Sequence, residues 1–259
     1  MKFFLSTGIF SKICSPDIAE KIALDAGYDG IELMLPPRYV YHQEDTGDLS
    51  ALRATTIIHS ANDYYDESRF HAALSDAVKT AHTINSKLII IHPPSAYFSG
   101  RENIRRGIAL IQKLQQDTEL IIAYEVLGIS SPKTPDSYLH GLKQQGYKTP
   151  QKWVDDVKHY NLAAVLDTSH VASWGINPTT FLSLLGSNVR HIHLSDFDPN
   201  TKTTHLLPGT GNINLPDFFH TLQKDYQDIT VTIEVNPVKT MAEGVEIADK
   251  CFTFLKKYQ

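Results

Sequence analysis

The sequence has 259 residues, of which 42% are hydrophobic and 20% are charged, and its formal net charge is −5. This length and hydrophobic content suit one large domain, so we expect a single domain over residues 1–259. The acidic balance provides no electrostatic footprint for nucleic acid, although a local basic groove stays open. No apolar run approaches the roughly 18 residues that a membrane-spanning helix needs, and we expect no membrane partner.

The predicted elements begin with a strand at the N-terminus. The segment MKFFLSTGIF resembles a short secretion signal, but Ser6, Thr7 and Gly8 interrupt its apolar stretch, so we interpret it as the first strand. Cys14 and Cys251 lie far apart without metal-site spacing, and we expect reduced thiols in a cytoplasmic protein.

Eight apolar segments of strand character recur along the chain. Most are continuous apolar runs, which are typical of strands buried on both faces. Amphipathic stripes at helical spacing lie between several of them, and strand–helix alternation eight times over predicts a (β/α)8 TIM barrel. The strand segments are KFFLST, GIELML, TIIHS, KLIIIH, ELIIAYEV, LAAVLDT, VRHIHLS and ITVTIEV; the helical stripes are Ile18/Ile22/Ala26, Ile104/Ile108/Ile111/Leu114 and Met241/Val245/Ala248/Phe252/Leu255.

Six of the eight strand segments end in a residue that can bind a metal. Each ionisable side chain directly follows an apolar run, at the point where a strand gives way to a loop. Neighbouring barrel strands deliver their last inward side chains to a common point, so the pattern predicts a catalytic metal centre at one mouth of the barrel. The six residues are His59, His92, Glu125, Asp167, His193 and Glu234.

The last four of these residues form a mixed oxygen and nitrogen ligand set. Glu125, Asp167, His193 and Glu234 suit Zn2+, Mn2+ or Co2+ better than a soft metal. Without a cation, four converging ionisable groups would repel one another or be left unpaired. The sequence therefore predicts one to three divalent ions per chain.

Several further histidines are candidates for the same region. His59 and His92 are expected to hold a second ion that shares a carboxylate with the first, or to contact substrate. His170 and His205 are expected to bind a third ion or to contact substrate. His191 is interpreted as a core histidine one layer deeper, and the histidines at 42, 71, 82, 140, 159 and 220 as surface residues.

Two loops and one acidic residue complete the candidate site. The long segment Gly128–Pro150 is the best candidate for a lid over the substrate. The glycine-rich loop Pro208–Asn212 is expected to bring its backbone close to substrate, including a phosphate. Glu32, at the end of the second strand, is expected to orient a metal ligand.

Over nearly its whole length the chain resembles the xylose isomerase-like barrels, which include sugar epimerases and endonuclease IV. The resemblance is carried by AGYDGIEL at 26–33, TIEVNP at 232–237, Asp167-x-x-His170, His193-x-x-Asp196 and the late P-G-x-G. It implies a metal held by the four ligands named above. The candidate substrate-binding residues are His170, His205, Asp196 and Glu32.

For a sugar isomerase or epimerase, the resemblance implies that Glu125 and Glu234 shuttle a proton while also binding the metal, and that His170 contacts a sugar hydroxyl. These three residues are the expected catalytic side chains. The most similar epimerases carry an arginine six residues after the metal-binding histidine, where this chain has Pro199. That type of sugar contact is therefore not expected from this position.

For an endonuclease IV-like zinc phosphodiesterase, the resemblance implies three zinc ions and cleavage of abasic DNA. The histidines and carboxylates of that family match, but Thr203 and Asn62 stand where it has a metal-binding aspartate and a DNA-penetrating tyrosine. Basic residues near the expected mouth are few: Arg38, Lys133, Lys143, Lys148 and Lys202.

The sequence favours a metal-dependent isomerase or epimerase acting on a sugar, sugar phosphate or related hydroxy-carbonyl compound. The endonuclease is the alternative, and nucleic acid is a partner only in that case. A dehydratase, a hydrolase and a non-catalytic binding barrel are the remaining readings. Association into homo-oligomers stays open, since barrels of this kind often associate.

Overall fold

Eight parallel strands close into a barrel in a computed structural model, which describes residues 1–10, 13–35, 49–53, 55–60, 67–93, 100–128, 147 and 149–259. Around the barrel the strand order is β1-β10-β7-β6-β5-β4-β3-β2. This confirms the predicted (β/α)8 fold. The strands are β1 Lys2–Ser6, β2 Gly30–Met34, β3 Thr55–His59, β4 Leu88–Ile91, β5 Ile121–Glu125, β6 Ala163–Asp167, β7 Val189–Leu194, β8 Asp196–Asp198, β9 Thr203–Leu206 and β10 Thr230–Ile233.

Helices connect the barrel strands, and their ends follow familiar capping chemistry. Helix α1 has Ser15 at its N-cap position and Pro16 in its first turn, and it ends at Gly27, whose φ of 109° closes the C-terminus. Helix α8 begins with a capping box between Thr240 and Glu243. The helices are α1 Pro16–Ala26, α2 Glu67–Thr83, α3 Gly100–Asp117, α4 Pro150–His159, α5 Thr168–Ser173, α6 Pro178–Leu185, α7 Leu215–Asp225 and α8 Met241–Leu255.

Among the helices within the described ranges, none combines the length and the apolar character needed to cross a membrane.

Strands β8 and β9 form an antiparallel hairpin outside the barrel. Asp196 pairs with Leu206 and Asp198 with Thr203, with an irregular register between them. The hairpin follows β7 and precedes α7. The sequence pattern did not predict it, because its strands are only three and four residues long.

The apolar core has two parts, one on each face of the barrel wall. The larger part lies between the strands and the helices. The smaller consists of Phe4, Ile57, Ile90, Ala123 and Val165, one residue from each of five barrel strands. Side chains alternate between the two faces of a strand, so this smaller cluster fills the inside of the barrel.

Two of the predicted helical stripes match the buried faces only in part. In α8, Ala248, Phe252 and Leu255 are buried as expected, and in α1 Ile22 and Ala26 pack against the core. Ile18 in α1 is 44% exposed and Val245 in α8 is 42% exposed. In α1 the buried positions include Ala19 and Ala23, which pack toward the barrel one residue away from the expected stripe. The stripe Ile104, Ile108, Ile111 in α3 is confirmed as buried. Most of the proposed lid Gly128–Pro150 lies outside the described residues.

Candidate metal centre

The strand period brings the predicted ligands together. Inside a strand, every second side chain points to the same face, so a residue two positions beyond an inward apolar residue also points inward. Four candidate ligands stand in this relation to the inner cluster, one step closer to the C-terminal mouth. The pairs are Ile57 with His59, Ile90 with His92, Ala123 with Glu125, and Val165 with Asp167.

Glu125, Asp167, His193 and Glu234 form the primary site. One ligand atom from each lies within 4.8 Å of the others. His193 Nδ1 lies 3.1 Å from Glu125 Oε1 and 2.9 Å from Glu234 Oε2. Glu125, Asp167 and His193 are buried, and the side chain of Glu234 is 14% exposed. The structure thus places all four predicted ligands around one point.

His193 is held from behind by a buried acidic residue. Its Nε2 donates to Glu32 Oε2 at 3.1 Å, and His191 Nε2 lies 3.2 Å from the same oxygen. His191 is held in turn by the hydroxyls of Thr230 and Thr232, at 2.6 and 2.9 Å. Because Nε2 of His193 is the donor, its Nδ1 carries a lone pair in the neutral ring and faces the primary site.

His59, His92 and Glu125 form a second group, the His59 site. Both His59 Nε2 and His92 Nε2 approach Glu125 Oε2, at 3.0 and 2.8 Å. His59 Nδ1 lies 3.0 Å from the carbonyl oxygen of Ser60, which can only accept, so Nδ1 carries the proton. In the neutral ring, Nε2 of His59 is then the ligand atom, and Glu125 is shared with the primary site.

Asp167, His170 and His205 form a third group, the His205 site. His170 Nδ1 donates to the carbonyl of Val126 at 2.9 Å, and His205 Nδ1 donates to the carbonyl of Glu234 at 3.2 Å. The two Nε2 atoms face each other at 3.1 Å. In neutral rings both would present lone pairs, so the two Nε2 atoms could bind one cation together.

The carboxylate oxygens supply an independent test of whether a cation fits. Asp167 Oδ2 and Glu234 Oε2 are buried and have no hydrogen-bond partner among the described residues. The 2.9 Å approach of His193 Nδ1 to Glu234 Oε2 is a close contact without hydrogen-bond geometry. A buried, unpaired carboxylate oxygen is costly, and a divalent ion with oxygen and nitrogen ligands would satisfy both atoms. The residues present therefore fit such an ion.

The charges of the site favour bound positive charge. Burial lowers the pKa of His59, but the hydrogen bond and the charge of Glu125 outweigh it and raise that pKa to about 9. The pKa of His193 is likewise raised, because Glu32, Glu234 and Glu125 outweigh burial. Burial raises the pKa of Glu234, but the charge of His193 lowers it to about 2. In the metal-free protein, protons thus occupy the region where a cation would bind.

Two residues expected to contact substrate have other partners. Glu32 is completely buried, and its contacts are with His191 and His193, as expected for a residue that orients a ligand. Asp196 is also completely buried. Its two oxygens accept backbone hydrogen bonds at 2.8 to 3.0 Å from Phe197, Gly209, Gly211 and Ile213.

The glycine-rich loop Pro208–Asn212 is therefore organised around Asp196. The expectation that its N–H groups approach a substrate phosphate has to be revised, because Gly209 and Gly211 already donate to Asp196. A Cβ atom at Gly211 would lie 2.5 Å from Asp196 Oδ1. Glycine is required there for close approach to this internal carboxylate rather than to a ligand.

Sequence reasoning missed the residues that hold the ligands in place. Gly128 lets the loop after β5 pass His170, since a Cβ atom there would lie 2.8 Å from His170 Cα. Asn236 holds the backbone of His205. Neither belongs to a metal-binding residue pattern, although a glycine or asparagine just beyond a ligand-bearing strand is a usable signal. The histidines at 71, 82, 159 and 220 are exposed, as expected.

Three solved structures share this fold over nearly the whole chain. D-psicose 3-epimerase from Clostridium cellulolyticum H10, solved with D-tagatose, is 15% identical with a TM-score of 0.72, covering 100% of this chain and 99% of that one. AP endonuclease, family 2, from Brucella melitensis is 14% identical with a TM-score of 0.71 and the same coverage. The IOLI protein, solved with a zinc atom, is 18% identical with a TM-score of 0.72, covering 100% and 99%.

At such identities these likenesses concern the fold. A comparison with curated protein sequences found no match. The sequence profile described as "Xylose isomerase-like TIM barrel" matches residues 21–257. Because this match spans most of the chain and the closed eight-stranded barrel agrees with it, the protein belongs to the xylose isomerase-like TIM barrel family.

Proposed function

We propose that this protein is a divalent-metal-dependent isomerase or epimerase acting on a sugar, sugar phosphate or related hydroxy-carbonyl compound. The observation that carries the proposal is the approach of two carboxylates, Glu125 and Glu234, to Nδ1 of His193. They belong to β5 and to the end of β10, which β6 and β7 separate in the barrel. A substrate bound between them would have one carboxylate on each side of the reacting carbon.

The residues of the primary site would hold the metal ion, and the ion would act on the carbonyl of the substrate. The primary site would hold the ion through Glu125, Asp167, His193 and Glu234. When bound, a divalent ion would supply a Lewis acid that polarises the carbonyl of the substrate and offsets the negative charge that develops on its oxygen. The neighbouring D-psicose 3-epimerase, solved with D-tagatose, supports a ketose as the first substrate class to test.

Glu234 is the better placed carboxylate for removing the proton. Its side chain is 14% exposed, whereas that of Glu125 is 1% exposed. Its lowered pKa keeps it ionised at neutral pH, in the form that accepts a proton. Glu234 Oε2 would take the proton from the carbon beside the carbonyl and later release it to solvent. Nearby histidines also lower the pKa of Glu125, so this carboxylate would have to take up a proton from solvent before it returns one from the other side.

His170 and His205 are assigned to the substrate as well as to the His205 site. Both are partly exposed, unlike the buried His193. Their Nε2 atoms meet at 3.1 Å, beside Asp167. A substrate hydroxyl or oxyanion at this position would contact the Nε2 atoms, because both Nδ1 atoms are already hydrogen-bonded to backbone carbonyls.

The decisive experiment is carbon-bound proton exchange. The protein, loaded separately with Mn2+, Co2+ or Zn2+, is incubated in D2O with a panel of ketoses, aldoses and their phosphates, and deuterium incorporation is followed by NMR. We expect incorporation next to the carbonyl together with formation of an isomeric sugar. As a control, Glu246→Gln changes an exposed residue outside the candidate site and should behave as wild type. Metal-loaded protein that exchanges no proton in any member of the panel would contradict the proposal.

A zinc phosphodiesterase acting on abasic DNA is the second candidate. It is favoured by the three adjoining donor groups, since the His59 site and the His205 site share Glu125 and Asp167 with the primary site. Thr203 weighs against it, because its hydroxyl pairs with Thr201 and offers no carboxylate.

Metal content and DNA cleavage separate the two candidates. Two or three zinc ions per chain by plasma mass spectrometry, with nicking of abasic duplex DNA that falls steeply as salt rises, would favour the phosphodiesterase. One manganese or cobalt ion without nicking would favour the isomerase.

A further inference from the structure

His205 has a backbone conformation that needs external support. Its φ is 55°, in the left-handed region that residues other than glycine seldom adopt. It lies in β9, part of the two-stranded hairpin rather than of the barrel. The barrel wall therefore does not by itself determine where the imidazole of His205 points.

Asn236 supplies the connection between this hairpin and the barrel. Its backbone N–H donates to the carbonyl of His205 at 2.9 Å. Its side-chain Nδ2 donates to the carbonyls of Thr204 and His205, at 2.9 and 3.0 Å. In return, His205 Nδ1 donates to the carbonyl of Glu234. Four hydrogen bonds thus join residues 204–205 to residues 234–236.

We propose that Asn236 is a positioning residue that holds His205 in its left-handed conformation with Nε2 directed at His170. This inference rests on the proposed function, in which His205 faces the cation and the substrate. Glu234 and Asn236 lie in the same short segment, and both are hydrogen-bonded to His205. Asn236 therefore also fixes the position of the Glu234 carboxylate relative to the His205 site.

The exposure of Asn236 makes the inference testable. The residue is exposed, so shortening it leaves no cavity in the core. Asn236→Ala removes the two side-chain hydrogen bonds and keeps the backbone donor. Asn236→Asp keeps the shape, loses the donor and adds a negative charge, which by Coulomb attraction alone would strengthen cation binding. A fall in zinc affinity for both variants therefore reports position rather than charge.

The first readout is zinc affinity of the full chain, measured by competition with a chelating dye. We expect both Asn236 variants to lose roughly 10- to 100-fold in affinity for the most weakly held zinc, the range for residues that orient ligands. Asn200→Ala, the same change in the turn of the same hairpin, should leave affinity unchanged. In a His205→Ala background, Asn236→Ala should have no further effect, because the interaction it supports is already gone.

The second readout does not need a metal. The imidazole 15N and Cε1–H resonances of His205 in metal-free protein should shift toward those of a free imidazole in Asn236→Ala, while those of His191 stay unchanged. Wild-type resonances in that variant would overturn the proposal. If His205→Ala keeps every zinc ion, the metal role of the His205 site fails, and the His205 resonances still decide whether Asn236 positions it.

Discussion

The carboxylate of Glu32 and the imidazole of His193 are joined by a 3.1 Å hydrogen bond beneath the primary site, and both side chains are completely buried. The bond leaves Nδ1 of His193 as the ligand atom and prevents the ring from turning. Carboxylates placed behind a metal-binding histidine usually raise its affinity for the ion.

Replacement of Glu32 should therefore weaken metal binding without changing the ligand set. We expect Glu32→Gln to lower the affinity for Zn2+ or Mn2+ by about 10- to 100-fold, because the amide keeps the shape but loses the charge. Chelator competition measures this, with Glu246→Gln as the exposed control. Unchanged affinity would mean that His193 needs no support from Glu32.

His59 should account for one metal equivalent. Its Nε2 faces Glu125, and its Nδ1 is already bound to the carbonyl of Ser60. We expect His59→Ala to remove one ion per chain, counted by plasma mass spectrometry, and to leave the primary site occupied. His82→Ala on the exposed face of α2 is the control. A full metal count in His59→Ala would make His59 a substrate contact instead.

Glu234→Gln should abolish most turnover while leaving the fold intact. Loss of a positioned acid or base typically costs about 10²- to 10⁴-fold in rate. The residue lies at the mouth and is partly exposed, so circular dichroism and the unfolding temperature should change little. Metal content is measured in parallel, to separate loss of the proton-accepting group from loss of a ligand. Full activity in this variant would exclude the acid–base role.

Gly128→Ala should disturb His170. The added Cβ atom would meet His170 Cδ2 at 2.7 Å and Cα at 2.8 Å, so the backbone must shift. Such overpacking typically costs about 1–3 kcal/mol in the free energy of unfolding. At Gly175 no atom lies within 4 Å, and its φ is 74°. Gly175→Ala should thus lower the stability through backbone strain alone and keep the zinc affinity. Gly128→Ala should lower the stability and the zinc affinity. Equal zinc affinity in the two variants would contradict this.

The two thiols should differ in reactivity. Burial raises the pKa of Cys251 to about 12, and the thiolate is the reactive form. Cys14 is only partly buried, and its pKa is raised by burial and by Asp17. With Ellman's reagent we expect one thiol in the native protein, reacting faster as the pH rises from 7 to 9, and two in denaturant. Rapid reaction of the single thiol left in native Cys14→Ser protein, or of both thiols in the native wild type, would contradict this, because it would show that Cys251 is accessible.

Much of the fold could be predicted from local pattern. Buried parallel strands are read as continuous apolar runs, and a side chain two positions beyond an inward residue must also point inward. That is why Ile57 predicts the direction of His59, and Ala123 that of Glu125. Strand period and barrel closure together were enough to bring the four candidate ligands of the primary site to one mouth.

Other features depend on contacts between distant segments, which no local pattern contains. The pairing of Glu32 with His193 spans 161 positions in the sequence, and Asp196 turned out to bind the glycine-rich loop rather than to lie open for substrate. Ile18 fits an amphipathic stripe as well as Ala19 does, and only packing of α1 on the barrel selects the buried one.

The sequence by itself thus determined the barrel and the chemical identity of the candidate metal ligands at its mouth, because strand periodicity is a property of neighbouring residues. Tertiary structure alone decided which nitrogen of each histidine faces the site, and that Asn236 holds His205 in place. Those outcomes depend on hydrogen-bond partners such as the carbonyls of Ser60, Val126 and Glu234, which every residue type carries and only folding brings within reach.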